Sequence, residues 1–146
     1  MSDSLEDLDA TATQLRLAVF RLARRLRCAR ALDAMSDAQL AVLAALRVHG
    51  RHTLSRLAER EHVTAPTMSA MINGLADQGF VVRIPDDEDR RRVHVEITEQ
   101  GAEVVTETIR RRDELLAGML REVDLDDHDL SVLREAAVLL KRVAEG

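Results

Sequence analysis

Residues 53–98 read TLSRLAEREHVTAPTMSAMINGLADQGFVVRIPDDEDRRRVHVEIT, and the order of signals along them decides the fold. Thr53 stands where it can cap a short helix, LSRLAERE, with Leu54, Leu57 and Ala58 as its apolar positions. After a three-residue turn the same logic repeats: Thr64 is a second cap, and Val63 is spaced to staple onto Met68. Met68, Met71, Ile72 and Leu75 then fall at i, i+3, i+4 and i+7, one buried helical face. Gly79 sits where a left-handed closing residue is needed, and Phe80 can fold back onto Leu75. FVVRI follows as a strand. VHVEI, with Val93, Val95 and Ile97 alternating against His94 and Glu96, is its partner. Between them PDDEDRRR is a hairpin tip too polar to pack.

The flanks are helical. Leu5, Leu8, Ala12, Leu15, Val19, Leu22, Leu26 and Ala29 alternate spacings of three and four, which is a helix-packing seam. Leu17 and Phe20 lie off it and predict a second buried face. Arg16, Arg21, Arg24, Arg25, Arg27 and Arg30 take much of the remaining surface, either as a solvated face or as a contact to DNA backbone or an acidic partner. A second helix opens at Ser36, which has capping-box spacing to Gln39, while Met35 and Leu40 have staple spacing; Gly50 ends it. From Thr98 a helix is expected to about Val123, and a last one from Asp126 carries Leu130, Leu133, Ala137, Leu140 and Ala144. These terminal helices carry more apolar surface than one small head can cover, which predicts a dimer.

At 146 residues the chain is expected to form a single domain, residues 1–146. Two Phe and no Trp or Tyr leave the core to Leu, Val, Ala and Met, a composition that favours helices. One cysteine, Cys28, excludes an internal disulfide framework. The absence of an apolar run of spanning length and the acidic start MSDSLEDLDA predict a cytoplasmic protein with no membrane partner. The net charge is −5, and residues 53–98 hold six arginines against eight acids. Any binding to DNA must then come from a few placed arginines and a shape rather than a general basic field.

Two short helices followed by a two-stranded hairpin form a winged helix-turn-helix, whose second helix enters the DNA major groove. Opposite the buried face that helix carries Pro66, Ala70, Asn73 and Asp77, flanked by Thr67, Ser69 and Gly74. Small residues let a helix approach a groove floor, and Asn73 can bond an adenine edge. They equally let a helix pack against protein, so this face alone decides neither reading. Asp77 should lie beyond the groove. In the tip, acids at Asp86, Asp87, Glu88 and Asp89 precede Arg90, Arg91 and Arg92. A short acid can pair with an arginine two residues on and fix its direction, leaving a guanidinium to enter a narrow minor groove.

The run Asp89-Arg90-Arg91-Arg92-Val93-His94-Val95-Glu96-Ile97-Thr98-Glu99-Gln100-Gly101, preceded by Gly79-Phe80-Val81-Val82-Arg83, resembles the wing and following helix of MarR-family transcriptional regulators. Ser36 to Leu40 is similar to the family's second helix, and Thr64 to Leu75 to its recognition helix. The resemblance implies a mainly α protein: a DNA-binding head at 36–98 with a two-stranded β wing, and long dimerisation helices at 1–32 and 99–146. It implies a homodimer on a pseudo-palindromic double-stranded DNA operator, usually a repressor released by a small molecule or an oxidant. Carried over by position, Asp89 and Arg91 match the wing Asp and minor-groove Arg, Thr64, Ala65, Pro66, Thr67 and Ser69 match groove-facing positions, and Arg83 matches an arginine before the wing. The candidate DNA contacts are thus Thr53, Ser55, Thr64, Ala65, Pro66, Thr67, Ser69, Ala70, Asn73, Arg83, Asp89, Arg90 and Arg91.

Other chemistry finds little support. No Ser/His/Asp order, glycine-rich phosphate loop or carboxylate pair points to an enzyme, and no cofactor is expected. His49 and His52 straddle Gly50 in a turn, and His62, His94 and His128 are scattered without partners at ligand spacing, so no metal is expected. Cys28, near Arg24, Arg25 and Arg27, reads as a half-buried structural thiol, with an oxidant sensor as the sharper reading. A winged-helix protein-interaction module without operator binding is the alternative function, and the −2 charge of the head suits it. A wing that presents arginines beside an ordering aspartate argues against it.

Overall fold

In the computed structural model the described residues, 2–33 and 35–146, form six helices and three short strands. The order is α1 (Ser2–Leu26), α2 (Asp37–His49), β1 (His52–Thr53), α3 (Leu54–Arg60), α4 (Ala65–Asp77), β2 (Val81–Pro85), β3 (Val93–Ile97), α5 (Glu99–Glu122) and α6 (Asp127–Glu145). The chain divides into two compact units, one running through Arg112 and the other Asp113–Gly146. Met1, at the start of the expected first dimerisation segment, and Ala34 lie outside the described residues.

Local chemistry sets the starts of α2, α3 and α4 and the end of α4. Ser36 Oγ accepts from the Gln39 N–H at 3.1 Å while the Ser36 N–H donates to Gln39 Oε1 at 3.0 Å, a complete capping box. Thr53 Oγ1 accepts from Arg56 N–H and Thr64 Oγ1 from Thr67 N–H, both at 3.3 Å, starting α3 and α4. Between these helices His62 takes φ 53°, an uncommon position for a residue with a Cβ, and the turn is pinned by Val63 N–H to Ala58 O at 3.0 Å. Gly79, at φ 80°, closes α4, and the Phe80 N–H donates back to Leu75 O at 2.9 Å.

The sheet is antiparallel in the order β1-β3-β2, pairing Val81 with Ile97 and Arg83 with Val95. The expected two-stranded wing therefore gains a third strand, because His52 and Thr53 pair with Val95 and His94. One core joins these elements: Leu43 and Leu46 of α2, Leu57 of α3, Met68, Ile72 and Leu75 of α4, Val81 and Val95 of the sheet and Val105 of α5. Met71, expected inside with them, is only partly covered.

The seam of α1 remains open in the single chain, with Leu5 64% and Leu8 63% exposed. The second buried face expected of Leu17 and Phe20 is not formed within the chain, since both are exposed. In the second unit α6 starts at a capping box of Asp126 with Asp129, and none of its residues is buried. Val138, Leu139 and Val143 stand in solvent.

Candidate nucleic-acid interface

Helix α4 presents two faces of opposite character. Met68, Ile72 and Leu75 are fully covered, whereas Ala65, Pro66, Thr67, Ala70 and Asn73 are exposed and Ser69 is partly so. The cap organises the start of the open face: Thr64 Oγ1 and Thr67 Oγ1 share a hydrogen bond at 2.8 Å. Ser55 is exposed at the start of α3, while Thr53 is half-buried because it both caps α3 and pairs with β3. A concavity of about 560 Å3 brings Thr53 and Ser55 together with Arg56, Arg91 and Arg92. Arg56 escaped the sequence reading. Its one signal is position, three residues after a cap and so on the open side of the first turn.

The acids of the wing tip act chiefly on backbone. Asp86 Oδ1 accepts from the Glu88 N–H at 2.9 Å, and its other oxygen meets His94 Nε2 at 3.0 Å. These bonds, that to the Glu88 amide first, hold the Asp86 carboxyl below the usual carboxylate range. Asp89 repeats the device, accepting from the Arg91 N–H at 3.0 Å through Oδ1 while its carbonyl accepts from the Arg92 N–H at 2.9 Å. Two Asx turns in succession give PDDEDRRR a defined shape. The expectation that Asp89 aims the Arg91 guanidinium needs correction: its carboxylate lies 4.0 Å from Arg92 Nε, and what it fixes at Arg91 is the main chain. The exposed guanidiniums of Arg90 and Arg91 have no hydrogen-bond or ion-pair partner among the described residues.

Arg83 Nη2, on β2, donates to Asn73 Oδ1 on α4. The expected freedom of Asn73 to bond an adenine edge is therefore curtailed in the free protein, because half of its amide is engaged. Asp77 is exposed at the far end of α4. Arg51 pairs with Glu96 at 3.1 Å, and Arg60 donates to His49 Nε2.

The arginines of α1 and of the turn that follows it divide into two groups. Arg16, Arg21, Arg24 and Arg25 are exposed. Arg27 and Arg30 instead converge with Arg112 of α5 on Asp37, at 3.6, 3.3 and 3.3 Å. Arg30, Arg111 and Arg112 also donate to the carbonyls of Met35, Arg30 and Ala29, clasping the connection from α1 to α2. Beside this cluster a cavity of about 330 Å3 is lined by Leu26, Leu40, Ala44, Val105 and Ile109, with Arg27 and Arg112 at its polar edge. Cys28, expected to be half-buried, is exposed because α1 ends at Leu26 and leaves it in the turn. Among the described residues no group of three or more His, Cys, Asp or Glu could hold a metal ion, and no helix is long and apolar enough to cross a membrane.

The sequence profile of the MarR family matches residues 35–93. An uncharacterised HTH-type transcriptional regulator of Mycobacterium bovis is 42% identical over 135 residues, 92% of this chain and 93% of that protein. The HTH-type transcriptional repressor YetL of Bacillus subtilis is 29% identical over 106 residues, 68% of this chain and 64% of its own. Among solved structures, a transcriptional regulator of Pseudomonas aeruginosa superposes with a TM-score of 0.80 at 30% identity, covering 94% of this chain and 96% of that one.

Proposed function

The chain belongs to the MarR family of HTH-type transcriptional regulators, and from that premise we infer that it is a homodimeric repressor of a pseudo-palindromic operator in the cytoplasm. Residues 36–98 are the reading head, and the segments 1–32 and 99–146 join two protomers through their open apolar seams. Two-fold symmetry then sets two α4 helices in successive major grooves about 34 Å apart. The exposed side chains from Thr64 to Asn73 face the bases, and Thr53, Ser55 and Arg56 lie along the phosphates. Arg91 enters the minor groove, with Arg90 beside it on the backbone.

The observation that carries this reading is the unpartnered Arg91 on a tip whose main chain is already ordered by Asp89. An arginine held ready in this way gains most in a narrow minor groove, where the potential is most negative. A protein-interaction module would have no use for it. The repressor sign is supported by the name of the Bacillus subtilis relative.

Release would follow from any ligand or modification that changes the spacing of the two heads. The cavity beside Asp37 is the natural place for a small molecule, and Cys28 for an oxidant. A coupling of about 1–3 kcal/mol would change operator affinity roughly 5- to 150-fold.

The test begins with selection of bound fragments from genomic DNA. Arg91→Ala should then weaken binding to the selected operator and leave the dimer and its melting unchanged, and binding should fall with salt at a modest slope. Equal affinity of the two proteins would refute the wing's role. Salt-independent binding, or no enriched DNA, would favour a protein partner.

A further inference from the structure

The fold brings Asn73 and Arg83 together, and the chemistry of the two side chains limits which base edge they can read. A guanidinium carries five donors and no acceptor. The amide atom facing Arg83 Nη2 is therefore Oδ1, and the amide cannot be turned around without setting donor against donor. Nδ2 is left with both of its hydrogens directed away from that contact. Asn73 lies three residues after Ala70 and seven after Pro66, on the same exposed face of α4. Both partners hang from covered neighbours: Ile72 and Leu75 flank Asn73 on the helix, and Arg83 pairs in the sheet with the buried Val95. The pair is thus a cross-link between the recognition helix and the wing, carried on two rigid elements.

An asparagine acting alone reads adenine, accepting from N6 and donating to N7. With one lone pair of Oδ1 taken by Arg83, donors dominate the edge offered to the groove: Nδ2–H beside guanidinium N–H groups. Guanine presents two adjacent acceptors, N7 and O6, to such an edge. Adenine would set its N6 amino group against a cation. We propose that Asn73 and Arg83 form one composite reader of a guanine in each half-site, in which Arg83 is the specificity-determining residue that turns Asn73 away from adenine. The proposal rests on the operator reading above and deepens it.

The test compares the DNA sequences selected from a random library by the full-length wild-type protein, by Asn73→Ala and by Arg83→Met, which keeps an unbranched apolar stem and removes the donors. Wild type should show one position per half-site where guanine outranks adenine and where Asn73→Ala abolishes the preference. In Arg83→Met the freed Oδ1 should move that position toward adenine, changing the guanine-to-adenine ratio by roughly 5- to 150-fold, the span of one bidentate base contact. Preferences elsewhere in the site should hold. Both side chains are exposed, so melting of the variants should match wild type; Arg83→Lys, which retains donors and charge, should keep the guanine preference. An operator whose Asn73-dependent position is adenine in wild type, an operator with no Asn73-dependent position, or a guanine preference that survives Arg83→Met would each overturn the proposal alone. If wild type enriches no sequence, the operator reading falls and takes this proposal with it.

Discussion

Replacing Asp89 separates two ways in which an acid can serve a wing. If its charge steers an arginine, Asn and Ala should be equally poor substitutes. If its oxygen holds the main chain, Asn should serve and Ala should not, since an amide oxygen accepts the same bond as a carboxylate. The geometry favours the second account: Oδ1 lies 3.0 Å from the Arg91 nitrogen, whereas the closest arginine, Arg92, is 4.0 Å from the carboxylate and both partners are at least half exposed. An exposed pair of that kind is worth about 0–1 kcal/mol. Losing the backbone bond costs roughly 1 kcal/mol, spent on re-ordering the tip before it can bind. For the proposed dimer, with two wings on one operator, Asp89→Ala should weaken binding by about 2 kcal/mol, or roughly 30-fold. Asp89→Asn keeps the turn and removes one negative charge near phosphate from each wing, so its affinity should equal or exceed wild type, most clearly at low salt. Anisotropy titrations of a labelled operator at two ionic strengths would measure all three proteins. An Asn variant as weak as the Ala variant would refute the backbone role, and an Ala variant as tight as wild type would remove any role for the turn.

Two further predictions concern the frame behind the head. A Cβ at Gly101 would lie 2.3 Å from Phe80 O and 2.8 Å from Ile97 Cγ1. Gly101→Ala should therefore cost about 2 kcal/mol net of its gain in helix propensity, lowering the melting temperature by roughly 4–8 °C at fixed protein concentration, and an unchanged melt would refute the packing. Glu107 is held by Arg110 first and then Arg111, which lower its carboxyl from 4.5 to about 2. Because the folded value is the depressed one, its contribution is complete above pH 4.5 and disappears as pH falls through about 2. A carboxyl NMR titration should find the Glu107 midpoint near 2, and higher in Arg110→Gln; a midpoint at the ordinary value in wild type would contradict the pairing.

What the sequence disclosed was governed by distance along the chain. Ser36 with Gln39, Thr53, Thr64, Gly50 and Gly79 all act on residues within five positions, and each stands where its local chemistry predicted. Strand β1 was illegible because two residues carry no alternation; His52 and Thr53 become a strand only through partners more than forty positions away. The bond from Arg83 to Asn73, ten positions apart on different elements, was hidden because nothing in either residue names the other. Asp89 was misread at short range: spacing shows that an acid and an arginine are near, but not whether the acid meets a side chain or an amide. Cys28 and Phe20 followed from a helical pattern extended past what the chain alone can cover.

The route by which an effector could move the reading helix is narrowed by how α4 ends. Thr98 Oγ1 donates to Gly79 O at 2.6 Å, Thr98 N–H donates to Phe80 O at 3.0 Å, and Gly101 N–H donates to Thr98 Oγ1 at 3.1 Å. Gly101 then packs so closely on the Phe80 carbonyl that no side chain fits between them. The exit of α4 and the first turn of α5 are thus held as one piece, so a shift of α5 would carry α4 with it instead of being absorbed in the junction. Further along the same helix, Val105, Ile109 and Arg112 line the cavity beside Asp37, and Thr108 accepts from the Ala31 N–H at 3.2 Å. A ligand bound there would touch α1, α2 and α5 at once, and α5 is the element tied to the end of α4. Occupancy alone is not sufficient. The ligand must prefer one position of α5 over another, because one that fits both equally shifts neither the helix nor the operator equilibrium.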